Sequence, residues 1–272
     1  HFSPFISIFL NISTDHLNRH GTIEAYLNAK IRLSKNQDEN SYVVYNEDDT
    51  RIKNIFQNAR MKQIPFSLDP KKSFRFGLNQ TRIIKKDHKS FITLNEISLI
   101  GKHNYSNIIA AATTAHLLGI EESQIAESIK NFHPIPHRME HFHTENRVKY
   151  INDSKATNID AVKCALDSFN QPVILILGGL FKGGNFEELL PHTGNVNAVI
   201  AYGEAQELIN TALRDSVRLF TLDSLKQAVV LSHSIAHPGD IILLSPGCAS
   251  FDQFKNYEER GDCFKKYVLE QI

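Results

Sequence analysis

The amino-acid sequence predicts an α/β protein that contains a doubly wound, parallel sheet. Four short apolar segments in the second half of the chain alternate with spacers long enough for helices: VILIL, AVIAY, VRLFT and DIILL. Such an alternation is typical of a parallel sheet covered by helices. Before them, HPIPHR (133–138) interrupts a helical pattern with two prolines in four residues. We therefore expect two domains, residues 1–136 and residues 137–272.

The first domain is predicted to contain both strands and helices. Thr22 is a suitable N-cap for the helix that follows it, and Gly119 is a suitable C-terminal stop for the helix before it. The turn-rich segment 64–100 predicts hairpins. The other elements are predicted as strands at 5–12 and 42–45 and as helices at 22–37, 49–60, 103–118 and 122–131.

Two polar segments of the second domain follow predicted strands and are the strongest candidates for a ligand site. NDSKATNIDA (152–161) lies between the strand-like VKYI and the helical AVKCALDSF. SPGCASFDQFKNYEERGD (245–262) follows the strand DIILL. In an open α/β sheet, ligands bind beyond the carboxyl ends of the strands. We expect both segments to lie in that kind of place.

The composition excludes several classes of function. Lys+Arg and Asp+Glu number 30 each among 272 residues, so no overall field attracts nucleic acid or an anionic membrane. The apolar runs are far shorter than the roughly 20 residues of a membrane helix. Three cysteines without a C-x-x-C pair indicate a reduced, cytoplasmic protein. The chain opens without Met inside a strand pattern, and we interpret it as a fragment that lacks its N-terminal part.

Three further motifs carry polar side chains whose roles the residues alone leave open. Asp15 and His16 follow a strand and could hold a metal or a phosphate, or they could form an ordinary polar loop. Lys30 shares a helix face with Tyr26 and Leu27, where we expect it to be partly buried, although such a lysine usually extends its ammonium to water. Asn104 and Asn107 at a helix start could contact a base edge or cap the helix.

The glycine-rich segment GGLFKGGNF (178–186) follows the strand VILIL. It matches neither G-x-G-x-x-G nor G-x-x-x-x-G-K-[ST], so it is not one of the common nucleotide loops. Its glycines could be turn residues, but Lys182 between two glycine pairs suits an anionic substrate. Cys248 follows a strand as a nucleophile would, yet no His/Asp arrangement accompanies it, and we interpret it as a packing residue.

Taken together, six segments resemble the Mur ligase family, and they occur in the family's order: NISTDHLNRHGTIEAYLNAK, GKHNYSNIIAA, PHRME, NDSKATN, LGGLFKGGNF and SPGCASFDQFKNYEERGD. The fourth and sixth resemble the members that use D-glutamate. The resemblance implies that residues 1–136 are the C-terminal part of a central ATPase domain with a mixed sheet and helices. It implies that residues 137–272 are a Rossmann-like, amino-acid-binding domain.

The resemblance also implies an activity: ATP-dependent addition of D-glutamate to UDP-N-acetylmuramoyl-L-alanine through an acyl phosphate, by a monomer in peptidoglycan synthesis. It assigns catalytic roles to His16, Lys30, Lys155 and Lys182, with Mg²⁺ held by His16 and by Lys30 as a carbamate. Asn104 and Asn107 would face adenine, Arg138 the phosphates and Asp153 the ribose. The D-glutamate pocket would be lined by Lys155, Thr157, Lys182, Ser250, Phe251 and Tyr257.

The sequence also departs from the family. The family's phosphate loop and its Mg²⁺-binding glutamate segment do not occur in residues 1–272, so we expect this chain to be inactive by itself. Tyr257 stands where the family often has Phe, and Gly247 where it often has Ala; we expect both to be tolerated. The alternatives are a non-catalytic binding fragment or relic, and a folylpolyglutamate synthase-like ligase, against which NDSKATN argues.

Overall fold

The computed structural model describes residues 2–12, 20–85, 87–99 and 101–271, and the chain divides into two compact units. We call His1–His133 the N-terminal unit and Pro134–Ile272 the C-terminal unit. The division falls three residues before the predicted boundary between residues 136 and 137.

The described strands of the N-terminal unit form two separate three-stranded sheets. The first is parallel with the order β1-β2-β3, and the second is antiparallel with the order β4-β5-β6. The strands are β1 (Ile6–Phe9), β2 (Tyr42–Asn46), β3 (Lys62–Phe66), β4 (Phe76–Asn79), β5 (Arg82–Lys85) and β6 (Ser90–Thr93). The antiparallel sheet accounts for the predicted hairpins.

Helices of this unit begin and end largely where the capping residues predict. The Thr22 side chain accepts a hydrogen bond from the Ala25 amide at 3.1 Å, as its predicted N-cap role requires. Gly119 has a φ of +80° directly after its helix, a conformation that glycine tolerates. The helices are α1 (Ile23–Ile31), α2 (Thr50–Phe56), α3 (Lys102–Leu117) and α4 (Glu122–Asn131), with 3₁₀ turns at Arg32–Ser34 and Leu94–Glu96.

The predicted helix at 22–37 is too long. The α-helix ends at Ile31 and a 3₁₀ turn follows. The Ser34 hydroxyl donates to the Ile31 carbonyl at 2.8 Å, and such a local bond offers the backbone an alternative to a further helical turn.

The C-terminal unit contains one six-stranded sheet with the order β11-β10-β9-β12-β8-β7. All neighbouring strands are parallel except β7, which pairs with β8 as an antiparallel hairpin. The strands are β7 (Glu140–Glu145), β8 (Val148–Asn152), β9 (Val173–Gly178), β10 (Val196–Tyr202), β11 (Leu219–Leu222) and β12 (Ile241–Leu244). The helices are α5 (Ile159–Leu166), α6 (Gln206–Leu213), α7 (Leu225–Ile235) and α8 (Tyr257–Leu269), with a 3₁₀ helix at Phe186–His192.

Helices cover both faces of this sheet, as the doubly wound prediction requires. Along β9, Val173, Leu175 and Leu177 point into a core shared with α5 and α6. Ile174 and Ile176 point into the opposite core, which α7 and α8 close. Because successive side chains of a strand alternate between faces, a strand buried on both sides is apolar at every position, which is the pattern of VILIL.

One predicted spacer differs from the α-helix expected there. Between β9 and β10 the chain forms a 3₁₀ helix, Phe186–His192. Pro191 lies inside it, and a proline cannot donate the backbone hydrogen bond that an α-helical interior needs. In the part of the chain that the structure describes, none of the helices combines the length and apolar character needed to cross a membrane.

Candidate active site

The two polar segments singled out above meet at one edge of the C-terminal sheet. Strand β12 lies between β8 and β9, so the loops that follow these three parallel strands are neighbours. We name them the β8 loop (153–157), the β9 loop (179–184) and the β12 loop (245–251). This edge is the one at which open α/β sheets bind ligands.

Backbone hydrogen bonds tie the three loops together. The Gly247 amide of the β12 loop donates to the Ala156 carbonyl of the β8 loop at 2.9 Å. Leu180 of the β9 loop and Ala249 of the β12 loop exchange two bonds, at 2.8 and 2.9 Å. The side chains on the three loops are therefore held by a connected backbone framework.

Two glycines at the end of β9 permit close packing against neighbouring backbone. A Cβ on Gly178 would lie 2.0 Å from the Tyr202 carbonyl oxygen, and one on Gly179 would lie 2.4 Å from the Ala249 carbonyl oxygen. Both residues also have positive φ angles, +140° and +124°. Gly179 is therefore required by the packing of the β9 loop on the β12 loop, and Gly178 by the packing of the end of β9 on the end of β10.

Lys155 on the β8 loop and Tyr257 at the start of α8 contact each other. The Lys155 ammonium donates to the Tyr257 hydroxyl at 3.0 Å, and Nζ lies 4.8 Å from the ring centroid. The Tyr257 hydroxyl and, more weakly, the Lys155 charge lower the pKa of the neighbouring Glu258 carboxyl. The structure thus places together two residues that the resemblance assigned to one site.

The other predicted pocket residues lie on the same three loops. Lys182 is exposed, and its Nζ lies 4.8 Å from the Phe251 ring centroid. Phe251 is itself 60% exposed, whereas Ser250 beside it is buried. Thr157 is exposed at the end of the β8 loop. This edge of the sheet therefore presents two lysines, hydroxyls and an exposed aromatic ring, a combination suited to a small anion.

Asp153 is a buried carboxyl at the base of the site. Burial raises its pKa to about 7, against the lowering effect of its hydrogen bonds and of Arg138. Its Oδ2 accepts from the Ser245 hydroxyl at 2.9 Å, and its Oδ1 accepts from the Met139 amide at 3.1 Å. Near neutral pH this side chain can therefore exist as the acid or as the carboxylate. Arg138, assigned to the phosphates, is exposed.

Cys248 has the properties of a packing residue. Its side chain is fully buried in the apolar core. Burial raises the pKa of its thiol to about 12, so the nucleophilic thiolate is absent at neutral pH. This agrees with the interpretation from the sequence.

Sequence reasoning missed Arg260 of α8, which is fully buried. Its guanidinium donates to the Ser154 hydroxyl at 2.9 Å, to the Ser154 carbonyl at 2.8 Å and to the Cys248 carbonyl at 3.0 Å. A signal was available, because Arg260 shares a four-residue spacing with Phe264 and Val268, both buried. That spacing places the arginine on the apolar stripe of the helix.

A second missed cluster surrounds Asn152, the last residue of β8. Its amide nitrogen lies 3.0 Å from His137 Nδ1 and 3.0 Å from Glu140 Oε2. A Cβ on Gly261 would lie only 2.1 Å from His137 Nδ1. Helix α8 therefore approaches this polar cluster at a distance that only glycine allows, and the Gly in EERGD indicates that contact.

The structure describes only some of the site residues predicted in the N-terminal unit. Asp15 and His16 lie outside the described residues. Lys30 is in α1, with its Nζ 5.0 Å from the Tyr26 ring centroid. The expectation that Lys30 is partly buried is wrong: it is exposed, and α1 has no buried residue.

Asn104 and Asn107 lie in the first turns of α3, as the sequence predicts. Asn104 is half-buried and Asn107 is exposed. The N-cap position itself is occupied by Gly101. Both side-chain amides therefore lie in the first turns of the helix, and neither residue is its N-cap.

The described residues do not form a magnesium site by themselves. Among them, no group of three or more His, Cys, Asp or Glu side chains is placed to hold a metal ion. Mg²⁺ takes oxygen ligands, and the Lys30 ammonium is a cation that offers none unless it is converted to a carbamate.

Comparisons with known proteins agree with this architecture. Residues 1–115 match the family model of the Mur ligase middle domain, and residues 137–248 match that of the Mur ligase glutamate ligase domain. The chain is 38% identical to UDP-N-acetylmuramoylalanine–D-glutamate ligase of Salinibacter ruber over 98% of its own length. It is 39% identical to the ligase of the same name from Bacillus cereus over 100% of its length. In both comparisons the chain spans 60% of the relative.

Solved structures share the fold. MurF ligase from Thermotoga maritima in complex with ADP superposes with a TM-score of 0.74 at 15% identity, covering 99% of this chain and 64% of that one. UDP-N-acetylmuramate-alanine ligase MurC from Thermotoga maritima gives a TM-score of 0.69 at 16% identity, covering 100% of this chain and 61% of that one. With two family domains in order and 38–39% identity over almost its whole length, the chain belongs to the Mur ligase family.

Proposed function

We propose that this chain is the nucleotide- and amino-acid-binding part of a ligase that adds D-glutamate to UDP-N-acetylmuramoyl-L-alanine. The observation that carries the proposal is the 38–39% identity, over 98–100% of the chain, to ligases named for that reaction. The two segments that resemble the D-glutamate members, 152–158 and 245–262, contain the β8 and β12 loops, which are joined by a backbone hydrogen bond.

On this proposal the ligase to which this chain belongs binds ATP, D-glutamate and UDP-N-acetylmuramoyl-L-alanine, acts as a monomer in the cytoplasm, and binds no nucleic acid. ATP supplies the phosphoryl group that activates the carboxylate of the sugar substrate, and the amine of D-glutamate then displaces phosphate to form the amide. Asn104 and Asn107 contact the adenine. Asp153 holds the ribose hydroxyls, and Arg138 pairs with the phosphates.

The chemistry of the loops supports the amino-acid part of the proposal. D-Glutamate carries two carboxylates, and Lys155 and Lys182 offer two ammonium groups as point charges. Ser250 and Thr157 add hydroxyl donors, and Phe251 and Tyr257 limit the shape of the pocket. Because Phe251 and Lys182 are exposed, a ligand can reach them without displacing the core.

We propose that His16 and Lys30 hold Mg²⁺, with Lys30 acting as a carbamate. A carbamate replaces the positive ammonium by an anionic oxygen donor, which is the ligand type that Mg²⁺ prefers.

Two measurements test the proposal. The first is calorimetric titration of the 272-residue chain with D-glutamate and L-glutamate. The second is phosphate release by a chain extended at its N terminus to the length of the relatives. We expect the extended chain to release phosphate only with ATP, UDP-N-acetylmuramoyl-L-alanine and D-glutamate together. We expect the 272-residue chain to show no turnover.

Lys182→Ala should weaken the response to D-glutamate, and Lys266→Ala, an exposed lysine on α8, is the control. A preference of the extended chain for another amino acid, or turnover that ignores D-glutamate, refutes the proposal.

A further inference from the structure

Arg260 links two loops of the candidate site by its side chain alone. Three of its N–H donors bind the loops: Nε and Nη2 bind the hydroxyl and carbonyl of Ser154, and Nη1 binds the carbonyl of Cys248. Ser154 belongs to the β8 loop and Cys248 to the β12 loop. One planar group therefore spans the gap between two loops that are almost 100 residues apart in sequence.

Apolar packing does not account for an arginine at this position. Its side chain is fully buried, and among the described residues no carboxylate lies within the 4.0 Å of an ion pair. Burying an unpaired charge is costly unless hydrogen bonds compensate it. The compensation comes from the loops, so the arginine and the loop conformations depend on each other.

The same contacts extend to the side chains that face the ligand. The Ser154 hydroxyl, which accepts from Arg260, donates in turn to the Tyr257 carbonyl at 2.8 Å. Tyr257 holds Lys155 through its hydroxyl. On the other side, Ser250 follows Cys248 by two residues. Arg260 thus connects to Tyr257 through Ser154, and through Tyr257 to Lys155, while its own burial keeps it away from any ligand.

The third loop is also in contact with this arginine. A Cβ on Gly179 would lie 3.2 Å from Nη1 of Arg260, so the β9 loop packs directly against the guanidinium. A side chain of any other residue at position 179 would compete for that space.

We propose that Arg260 is a positioning residue that clamps the β8 loop to the β12 loop and so fixes the spacing between Lys155 and Ser250. Its role in recognition of an anionic amino acid rests on the proposed function, whereas the clamp itself does not. Planarity and the number of donors matter here as well as charge, because two loops must be reached in two directions at once.

Hydrogen exchange and D-glutamate titration of the 272-residue chain test the clamp. The variants are Arg260→Met, Arg260→Lys and Ser154→Ala, and the matched control is Arg214→Met, an arginine whose side chain is 61% exposed. The reporters are the amides of Ala156, Gly247 and Ala249, which are hydrogen-bonded within or between the loops. Amides of β9 and β10 report the stability of the sheet.

In all three variants we expect the loop amides to exchange at least about ten times faster, because hydrogen bonds to a charged group are lost. The exchange rates of the strand amides in Arg260→Lys and Ser154→Ala should stay close to those of wild type. D-Glutamate affinity should fall by a similar factor, and Arg214→Met should change neither. If Arg260→Met does not fold, Arg260→Lys and Ser154→Ala decide the question.

Unchanged loop exchange in the folded variants overturns the clamp. So does an equal acceleration of loop and strand amides, which would show general destabilisation, and so does full retention of loop protection by Arg260→Lys, which would show that charge alone suffices. If wild type binds no D-glutamate, the proposed function fails, while the exchange data still decide the role of Arg260.

Discussion

The Lys155 ammonium and the Tyr257 hydroxyl are 3.0 Å apart, although 102 residues separate them in sequence. Lys155 follows β8, and Tyr257 is the first residue of α8. The hydroxyl accepts a hydrogen bond from the ammonium, and it lowers the pKa of the neighbouring Glu258 carboxyl. Tyr257, from the C-terminal part of the unit, therefore helps to fix the position of the Lys155 side chain.

Replacing Tyr257 by Phe tests how much this bond contributes. A net hydrogen bond is worth about 0.5–1.5 kcal/mol, so Tyr257→Phe should weaken D-glutamate binding less than about tenfold, with almost no change in melting temperature. Tyr257→Ala, which also removes the ring, should weaken it more. Tyr267→Phe on the same helix is the control. A complete loss of binding in Tyr257→Phe would show that the hydroxyl has a larger role than orienting Lys155.

Much of the C-terminal unit could be predicted because its central strands β9 and β12 are rich in apolar residues and its loops carry unusual polar residues. VILIL is buried along its whole length, and every predicted strand there was found. Arg260 could not be predicted as easily, because an arginine is normally a surface residue and only its four-residue spacing with Phe264 and Val268 indicates burial. The three-way contact of Arg260, Ser154 and Cys248 depends on loop closure, which no local pattern encodes.

The expectation for Lys30 was wrong for a related reason. Its neighbours Tyr26 and Leu27 are half-buried and pack against the core cluster of Phe9 and Phe56, yet Lys30 is exposed. Periodicity predicts which side chains share a face of a helix, but it does not show how much of that face the core covers. The roles assigned to Lys30 and to the other site residues remain predictions.

The exposure of Lys30 predicts that its carbamylation depends on Mg²⁺. The neutral amine of an exposed lysine can add CO₂, but the carbamate is lost again unless something holds it, so we expect Lys30 of the extended chain to become carbamylated only when Mg²⁺ is present. With ¹³C-labelled bicarbonate, a carbamate carbonyl signal should appear with Mg²⁺ and vanish with chelator. It should be absent in Lys30→Arg and persist in Lys35→Arg. A signal that survives in Lys30→Arg assigns the carbamate to another lysine, and no signal under any condition rejects the role.

Gly261 provides a test of the close packing between α8 and the cluster around Asn152. Glycine in a helix interior costs about 1 kcal/mol relative to alanine, so a site without steric restriction would gain stability from Gly261→Ala. Here the new Cβ would lie 2.1 Å from His137 Nδ1 and 3.0 Å from the Asn152 amide. We expect Gly261→Ala to lower the free energy of unfolding by about 1–3 kcal/mol.

Urea denaturation measures this change. Gly194→Ala is the matched control, because a Cβ there meets nothing within 4 Å, and it should change stability by less than about 0.5 kcal/mol. A stabilised Gly261→Ala would show that His137 moves aside without cost.

The buried carboxyl of Asp153 predicts a specific dependence of stability on pH. Burial raises its pKa from 3.8 to about 7. Between these two values the folded protein retains a proton that the unfolded chain has lost, so the folded state binds more protons and its stability must fall as pH rises through this window. Below the window both states are protonated, and above it both are ionised, so the contribution is constant on either side.

Asp153→Asn removes this titration and keeps a neutral side chain of the same shape. The Ser245 hydroxyl can accept from the new amide, and the carbonyl oxygen can still accept from the Met139 amide. We therefore expect the variant to match wild type at about pH 4 and to exceed its stability at about pH 8, by up to roughly 4 kcal/mol if the full shift is realised. Denaturant unfolding at both pH values measures the difference, and Asp215→Asn, whose side chain is 90% exposed, should show none. A stability difference between Asp153→Asn and wild type that is independent of pH would mean that Asp153 is ionised in the folded protein throughout this range, and that its hydrogen bonds to Ser245 and Met139 outweigh the effect of burial.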